Sequence, residues 1–106
     1  MNVFFEKREN STSVIVNEQR IDAQNAGEFR KYLLDLLASG NRTLIVNLSE
    51  VKFMDSSGLG ALVYALREAK MKNGDVKVFH LKEQVISMFK VTRLNKIFEI
   101  VDFPES

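Results

Sequence analysis

The sequence lacks cysteine altogether and contains a single proline and a single histidine. Without cysteine it can form neither a disulfide nor a thiolate metal site, so zinc fingers and iron–sulfur clusters are excluded. It has no run of about 18 apolar residues, the length that a membrane-spanning helix needs. Charged residues follow the N-terminus too soon for a signal peptide. We therefore expect a cytoplasmic protein that does not bind a membrane.

An excess of charge of one sign is also missing. Fifteen Lys and Arg face fourteen Asp and Glu, which gives a formal net charge of +1. Electrostatics alone cannot drive nucleic-acid binding at this balance, and we predict no direct nucleic-acid partner. The composition, 45% hydrophobic and 27% charged, is typical of folded globular proteins. The 106 residues suit one domain, which we predict to span residues 1–106.

The N-terminal third predicts a β-hairpin followed by a helix. Residues 3–8 and 13–17 are rich in Val, Ile and Phe, and Asn10 and Ser11 between them favour a turn. From Asn25 the apolar residues follow the spacing of one buried helical face: Phe29, Tyr32, Leu33, Leu36 and Leu37.

The ends of this helix also have sequence signals. Asn25 with Glu28 three residues later resembles a capping box at the start. The run Ser39-Gly40-Asn41 predicts the end, because glycine readily adopts the left-handed conformation that follows a helix.

The rest of the chain alternates strands with helices. Residues 43–48 form a nearly continuous apolar run, typical of a central strand covered on both faces. A helix is predicted after Gly58, with its end at Asn73-Gly74. A strand over 76–79, a helix over 82–90 and a strand over 97–101 follow, the last ended by Phe103-Pro104. Leu59, Leu62, Val63 and Leu66 follow the helical period in the first of these helices, and Val85, Ile86 and Phe89 are expected to point inward in the second.

This alternation predicts an α/β fold. We expect one small domain with a mixed sheet of about four to five strands, parallel in its later part, and helices packed against it. Ligands of such sheets sit at the carboxyl ends of strands, which directs attention to the loops around Asp22, Asp55 and His80.

The segment 53–60 combines features of a helix start and of a binding turn. A helix N-terminus offers unpaired N–H groups and a positive dipole end to an anion. Gly58 and Gly60 permit close backbone approach, and Ser56 or Ser57 could cap the helix.

Two interpretations of this segment remain open on the residues alone. One is that Asp55 and the serines merely cap the helix, with the glycines allowing it to pack tightly on the sheet. The other is a dinucleotide-binding turn, although Val63 stands at the third glycine position of that fingerprint and no P-loop is present.

Residues 53–60, Phe-Met-Asp-Ser-Ser-Gly-Leu-Gly, also resemble the signature of the STAS domain, and specifically that of bacterial anti-sigma factor antagonists. Arg20-Ile21-Asp22-Ala23 resembles the acidic loop that follows the second strand in this family. Residues 89–98 resemble its C-terminal helix-and-strand block. The resemblance thus covers nearly the whole chain in order.

The resemblance implies a regulatory protein without catalytic activity or cofactor. Such a protein binds an anti-sigma factor serine kinase when unphosphorylated, which frees the sigma factor, and a serine phosphatase reverses its phosphorylation. The modified serine of the family directly follows the Asp, so Ser56 is the predicted phosphorylation site and Ser57 the second choice. Asp22 and Asp55 match acidic positions beside that serine. Gly58, Leu59 and Gly60 complete the predicted switch loop, with Leu59 expected at the partner interface.

Several other candidates are weaker. His80 is interpreted as structural, because nothing in the sequence pairs it with a nucleophile. Asp22 and Asp55 alone are too few for a metal site. The basic residues Arg67, Lys70, Lys72 and Lys77 alternate with acidic ones and predict a solvated face. Two alternative functions stay open: a small nucleotide-binding α/β domain, and a STAS adaptor in another signalling assembly.

Overall fold

The computed structural model describes residues 1–102. Its strands are β1 (Val3–Lys7), β2 (Thr12–Val16), β3 (Arg20–Ile21), β4 (Thr43–Asn47), β5 (Phe53–Met54), β6 (Asp75–Phe79) and β7 (Ile100–Val101). Its helices are α1 (Ala26–Ala38), α2 (Ser56–Met71) and α3 (Glu83–Val91), and a single 3₁₀ turn covers Leu94–Lys96.

Five of the strands form one mixed sheet in the order β1-β2-β4-β6-β7. The hairpin partners β1 and β2 are antiparallel, with Val3 opposite Val16. The pairs β2–β4, β4–β6 and β6–β7 are parallel, because a helix connects the two strands of each pair. The predicted α/β class, the hairpin and the parallel later part of the sheet are confirmed.

The core lies between this sheet and the helices. In β4, the middle strand, three consecutive residues are buried, as predicted for a strand covered on both faces. Val14, Val46 and Val78 stand in register on β2, β4 and β6 and are fully buried. The helices add Phe29, Leu33, Leu62, Val85 and Phe89 to the same core, whereas Val63 and Ile86 are only partly buried.

The capping box predicted for α1 is wrong. Asn25 is the N-cap residue, but its side chain makes no capping bond. It accepts a hydrogen bond from the Asp22 N–H instead (2.9 Å) and donates to the Arg20 carbonyl (2.9 Å). Glu28 binds the Met1 ammonium at 2.9 Å, and this bond and its negative charge raise the pKa of that ammonium. The side chains of Asn25 and Glu28 therefore bond to other groups and do not cap α1.

The strand predicted over 97–101 is also wrong in its first half. Arg93 adopts a left-handed conformation (φ 63°), which ends α3 and starts the 3₁₀ turn. The Phe98 N–H then donates to the Leu94 carbonyl at 2.9 Å, and the chain joins β6 only from Glu99, whose carbonyl accepts from the Val78 N–H, so that the strand itself covers Ile100–Val101. The expected break at Phe103-Pro104 lies outside the described residues.

The predicted basic face is confirmed in part. Arg67, Lys70 and Lys72 are exposed, as expected of solvated side chains. Lys77 differs, because it stands on β6 with a side chain only 16% exposed and an ion pair to Glu99 at 3.6 Å.

The end of α1 follows its prediction. Gly40 is left-handed (φ 102°), and the Asn41 N–H bonds back to the Leu36 carbonyl, which closes a Schellman turn. The buried Asn41 side chain extends this turn. Its amide donates to the same Leu36 carbonyl (2.9 Å), and its oxygen accepts from the Thr12 hydroxyl of β2 (2.7 Å). Asn41 therefore ties the helix end to the sheet.

We expect Asn41→Ala to lower the free energy of unfolding by about 2–3 kcal/mol, because it leaves the buried Thr12 hydroxyl without its partner. Urea unfolding followed by circular dichroism measures this. Asn95→Ala is the control: Asn95 is exposed and has no hydrogen-bond partner among residues 1–102, so the change should cost less than about 0.5 kcal/mol. Equal losses in the two variants would contradict the structural role of Asn41.

Candidate functional site

The candidate site is built on a second, two-stranded sheet that the sequence analysis did not predict. Its strands β3 and β5 are parallel, with Arg20 opposite Phe53 and Ile21 opposite Met54. Treating residues 20–23 as a loop was therefore wrong for its first half. Asp22 and Asp55 each follow directly after these paired strands, and the Asp55 N–H donates to the Ile21 carbonyl at 3.2 Å. The pairing brings the two acidic residues to the same edge.

Asp55 caps α2. Its backbone is extended (φ −102°, ψ −174°), and one carboxylate oxygen accepts from the Ser57 N–H at 2.9 Å and the Gly58 N–H at 3.1 Å. This is the usual geometry of an acidic N-cap, so the predicted capping role is confirmed for Asp55 and wrong for Ser56 and Ser57. Both serines stand in the first turn of α2 and are exposed. Their hydroxyls are left accessible to a modifying enzyme.

The cap also bears on the nucleotide-binding alternative. A dinucleotide-binding turn holds a pyrophosphate with free N–H groups at the helix N-terminus. Here the N–H groups of Ser57 and Gly58 already bond to the Asp55 carboxylate, whose negative charge would repel a phosphate. The arrangement disfavours a nucleotide at this turn.

The next three residues of α2 differ in what surrounds them. A Cβ atom on Gly58 would lie 2.7 Å from Met54 Cγ and 3.0 Å from the Ile21 carbonyl oxygen, so the glycine permits α2 to contact β3 and β5 closely. Leu59 is only 3% exposed and belongs to the core, so its predicted place at an interface is wrong. Gly60 is exposed with no atom within 4 Å of its Cβ position, so its predicted close contact is wrong too.

The loop that carries Asp22 is held by its own hydrogen bonds. One Asp22 carboxylate oxygen accepts from the Gln24 N–H at 3.0 Å, and the other lies 3.4 Å from Arg20 Nε. The Arg20 guanidinium also lies over the Phe53 ring, 4.4 Å from its centre, which links the two strands on the outside. Between residues 1 and 102, no group of three or more His, Asp or Glu side chains could hold a metal ion.

A shallow groove runs beside the serines, between the starts of α1 and α2. Its volume is about 380 Å³, and small residues dominate its lining: Ala23, Ala26, Gly27, Ser57, Gly60 and Ala61. Arg30, the one large lining residue, lies 5.2 Å from the centre of the Tyr64 ring. Gly27 and Arg30 were not predicted from the sequence, because only the packing of α1 on α2 brings them beside Ser57. Tyr64 was not predicted either, because its link to this groove is its contact with Arg30.

Gln84 of α3 was missed as well. Its side-chain oxygen accepts from the Met54 N–H at 2.8 Å, and its side-chain nitrogen donates to the Met54 carbonyl at 3.0 Å. His80, in contrast, is exposed and contacts the Phe79 ring edge-on, with ring centres 5.8 Å apart.

The geometry of the acidic pair and the serine turn can be compared with known proteins. The sequence model of the STAS domain matches residues 5–104. The chain belongs to the STAS domain family. A curated relative, the anti-sigma-B factor antagonist of Bacillus subtilis, is 33% identical over 94% of this chain and 92% of its own length. That of Listeria monocytogenes is 30% identical over 94% and 90%.

Solved structures agree on the fold. An anti-sigma factor antagonist from Mycobacterium paratuberculosis superposes with a TM-score of 0.85 at 22% identity, covering 96% of this chain and 86% of that one. The antagonist SpoIIAA in its unphosphorylated form gives a TM-score of 0.75 at 20% identity, over 97% and 90%. The curated relatives are named as anti-sigma-B factor antagonists, in agreement with the prediction that this chain is not an enzyme. In the part of the chain that the structure describes, no helix is both long and apolar enough to span a bilayer.

The two glycines of the α2 start give a matched prediction. We expect Gly58→Ala to lower the free energy of unfolding by about 1–3 kcal/mol, because the added methyl overlaps Met54 and the Ile21 backbone. Gly60→Ala meets open space and should raise stability by about 0.5–1 kcal/mol through helix propensity. Urea unfolding of both variants measures the difference. Equal stabilities would contradict the close contact at Gly58.

Proposed function

We propose that this STAS protein is an anti-sigma factor antagonist, which binds an anti-sigma factor serine kinase when unphosphorylated and is released when Ser56 is phosphorylated. The observation that carries the proposal is the pair of exposed serines directly after the Asp55 cap. The curated relatives named as anti-sigma-B factor antagonists support it. Such a switch acts where transcription takes place, so the proposed location is the cytoplasm.

The surface beside the serines suits a partner that approaches closely. Small side chains line the groove between α1 and α2, so a partner side chain could enter it and contact the helix backbones. Gly60 at its edge adds no side chain of its own. Arg30 lines the groove and lies over the half-exposed ring of Tyr64, so the two offer a cation and an aromatic ring, residue types that often dominate binding energy. The partner would thus cover Ser57 and come within contact of Ser56.

Phosphorylation would reverse this contact by charge. A phosphate on Ser56 adds roughly −1.5 to −2 charges at neutral pH. The carboxylates of Asp22 and Asp55 stand at the same edge, and the Asp55 carboxylate already accepts from the N–H groups of Ser57 and Gly58. The phosphate would therefore remain exposed in a negative field, and a partner packed on it would face repulsion and a cost of desolvation.

The fold itself should tolerate the phosphate. Ser56 is exposed in the first turn of α2, where the helix dipole stabilises a negative charge by roughly 0.3–1 kcal/mol. SpoIIAA, which shares the fold at a TM-score of 0.72, has been solved in a phosphorylated form. Release of the partner without unfolding is the proposed mechanism, and a serine phosphatase would restore binding.

The test is phosphorylation by a candidate anti-sigma factor kinase from the same organism, with ATP, read by intact mass and site mapping. We expect one added phosphate in the wild type, its absence in Ser56→Ala, and its presence in the matched variant Ser57→Ala. Loss of the phosphate only in Ser57→Ala would move the site by one residue. A folded wild type that no such kinase phosphorylates would argue for the adaptor alternative instead.

Binding gives an independent prediction. Ser56→Ala should bind the kinase as tightly as the unphosphorylated wild type, because the site is exposed and the change adds no charge. Ser56→Asp should bind about tenfold or more weakly, since it adds a carboxylate beside Asp22 and Asp55. Isothermal titration calorimetry measures both dissociation constants, with Ser87→Asp on the exposed face of α3 as the charge control. Equal affinities of Ser56→Ala and Ser56→Asp would refute the charge mechanism.

A further inference from the structure

Within residues 1–102, strand β5 has a strand neighbour, β3, on one side only. Toward β3, the Phe53 N–H donates to the Gln19 carbonyl at 3.1 Å and the Asp55 N–H to the Ile21 carbonyl at 3.2 Å. The N–H and C=O of Met54, between them, point the other way, as alternation along a strand requires. On that side stands the side-chain amide of Gln84, which accepts from the Met54 N–H and donates to its carbonyl. One side chain thus makes the two bonds that a neighbouring strand residue would make.

The residue held in this way lies directly under the serine turn. Met54 precedes the Asp55 cap, and its fully buried side chain approaches Gly58 so closely that a Cβ there would lie 2.7 Å from Met54 Cγ. The position of the Met54 backbone therefore determines the position of the first turn of α2. A displacement of Met54 would move both the cap and the two serines.

Gln84 itself is well anchored. It stands in the first turn of α3, half-buried, and the next residue, Val85, is fully buried in the core together with Phe89. A glutamine in this position has both a donor and an acceptor in one planar group, which no aliphatic or charged side chain supplies. The pair of bonds joins α3 to β5 across a sequence separation of 30 residues.

We propose that Gln84 is a positioning residue of the switch: its amide holds Met54 and thereby presents Ser56 to the partner kinase in a fixed turn. The role of the kinase in this proposal rests on the proposed function. The claim that Gln84 holds the first turn of α2 does not depend on it. In Gln84→Leu, Met54 loses both bonds and the first turn of α2 opens more often. Phosphoryl transfer then slows, because the acceptor hydroxyl is less often in the reactive position.

Hydrogen exchange tests the structural part on the full chain without any partner. In Gln84→Leu we expect the amide of Met54 to exchange about tenfold faster or more. The exchange rates of the Ser57, Gly58 and Leu59 amides should rise by a similar factor. The amides of Val46 and Val78 in the central sheet should keep their wild-type rates. Ser87→Leu, an exposed polar-to-leucine change on the same helix, is the matched control and should change none of these rates. Unchanged exchange at Ser57–Leu59 in Gln84→Leu would overturn the proposal.

Kinetics with the cognate anti-sigma factor kinase test the functional part. We expect Gln84→Leu to lower kcat for phosphorylation about five- to tenfold, and Ser87→Leu to leave it unchanged. Gln84→Glu keeps an acceptor for the Met54 N–H but loses the donor to the Met54 carbonyl. Its kcat should therefore lie between those of Gln84→Leu and Ser87→Leu. Wild-type kcat in Gln84→Leu, despite faster exchange, would overturn the positioning role. Failure of the kinase to phosphorylate the wild type would count against the proposed function instead, and the exchange rates would still decide whether Gln84 holds the turn.

Discussion

The contact between Gly58 and the paired strands β3 and β5 is the constraint on which the candidate site depends. Because the helix backbone lies against Met54 and Ile21, α2 starts directly above the strand ends. Leu59 is turned into the core as a result, and Ser56 and Ser57 are turned outward. The pairing of β3 with β5 under this contact brings Asp22 and Asp55 to the same edge. The exposed chemistry of the site is thus fixed by a buried contact that involves none of the exposed residues.

At a helix N-terminus, capping the free N–H groups and binding an anion use the same N–H groups. In this protein the acidic cap takes the first role. Free N–H groups at such an end would attract any anion, including a phosphate on a neighbouring serine. Here the Asp55 carboxylate already satisfies two of these groups. These two N–H groups therefore need no phosphate, and the proposed phosphate on Ser56 would add its charge mainly to the outer surface.

Much of the fold follows from the sequence because apolar spacing determines which faces can be buried. The hairpin, the middle strand and the three helices each have a clear local pattern, and their order leaves few α/β arrangements. The two-residue strands β3 and β5 lack such a pattern, since they are too short for alternation to appear. The expected last strand was overestimated for a related reason: the left-handed Arg93 that diverts the chain is not a residue that signals a turn.

The site residues that are neighbours in the sequence could be predicted. Those that only the fold brings together could not. Asp55, Ser56 and Ser57 are adjacent in sequence, and the STAS resemblance identified them with Asp22. Leu59 was misplaced, because a helix start has both an inward and an outward side and sequence alone does not orient it. Gln84 gave no signal at all, since its partner is a backbone group 30 residues away.

The open space at Gly27 and Gly60 lets the proposed partner surface vary without disturbing the fold of the domain. Neither glycine has an atom within 4 Å of its Cβ position, and both border the groove beside Ser57. Side chains of many sizes fit there without disturbing the core, so these positions can diverge between duplicated copies of a gene at little cost in stability. Two such copies in one cell could thereby come to recognise different partners while sharing a single scaffold, which is a route to signalling pathways that do not cross-talk.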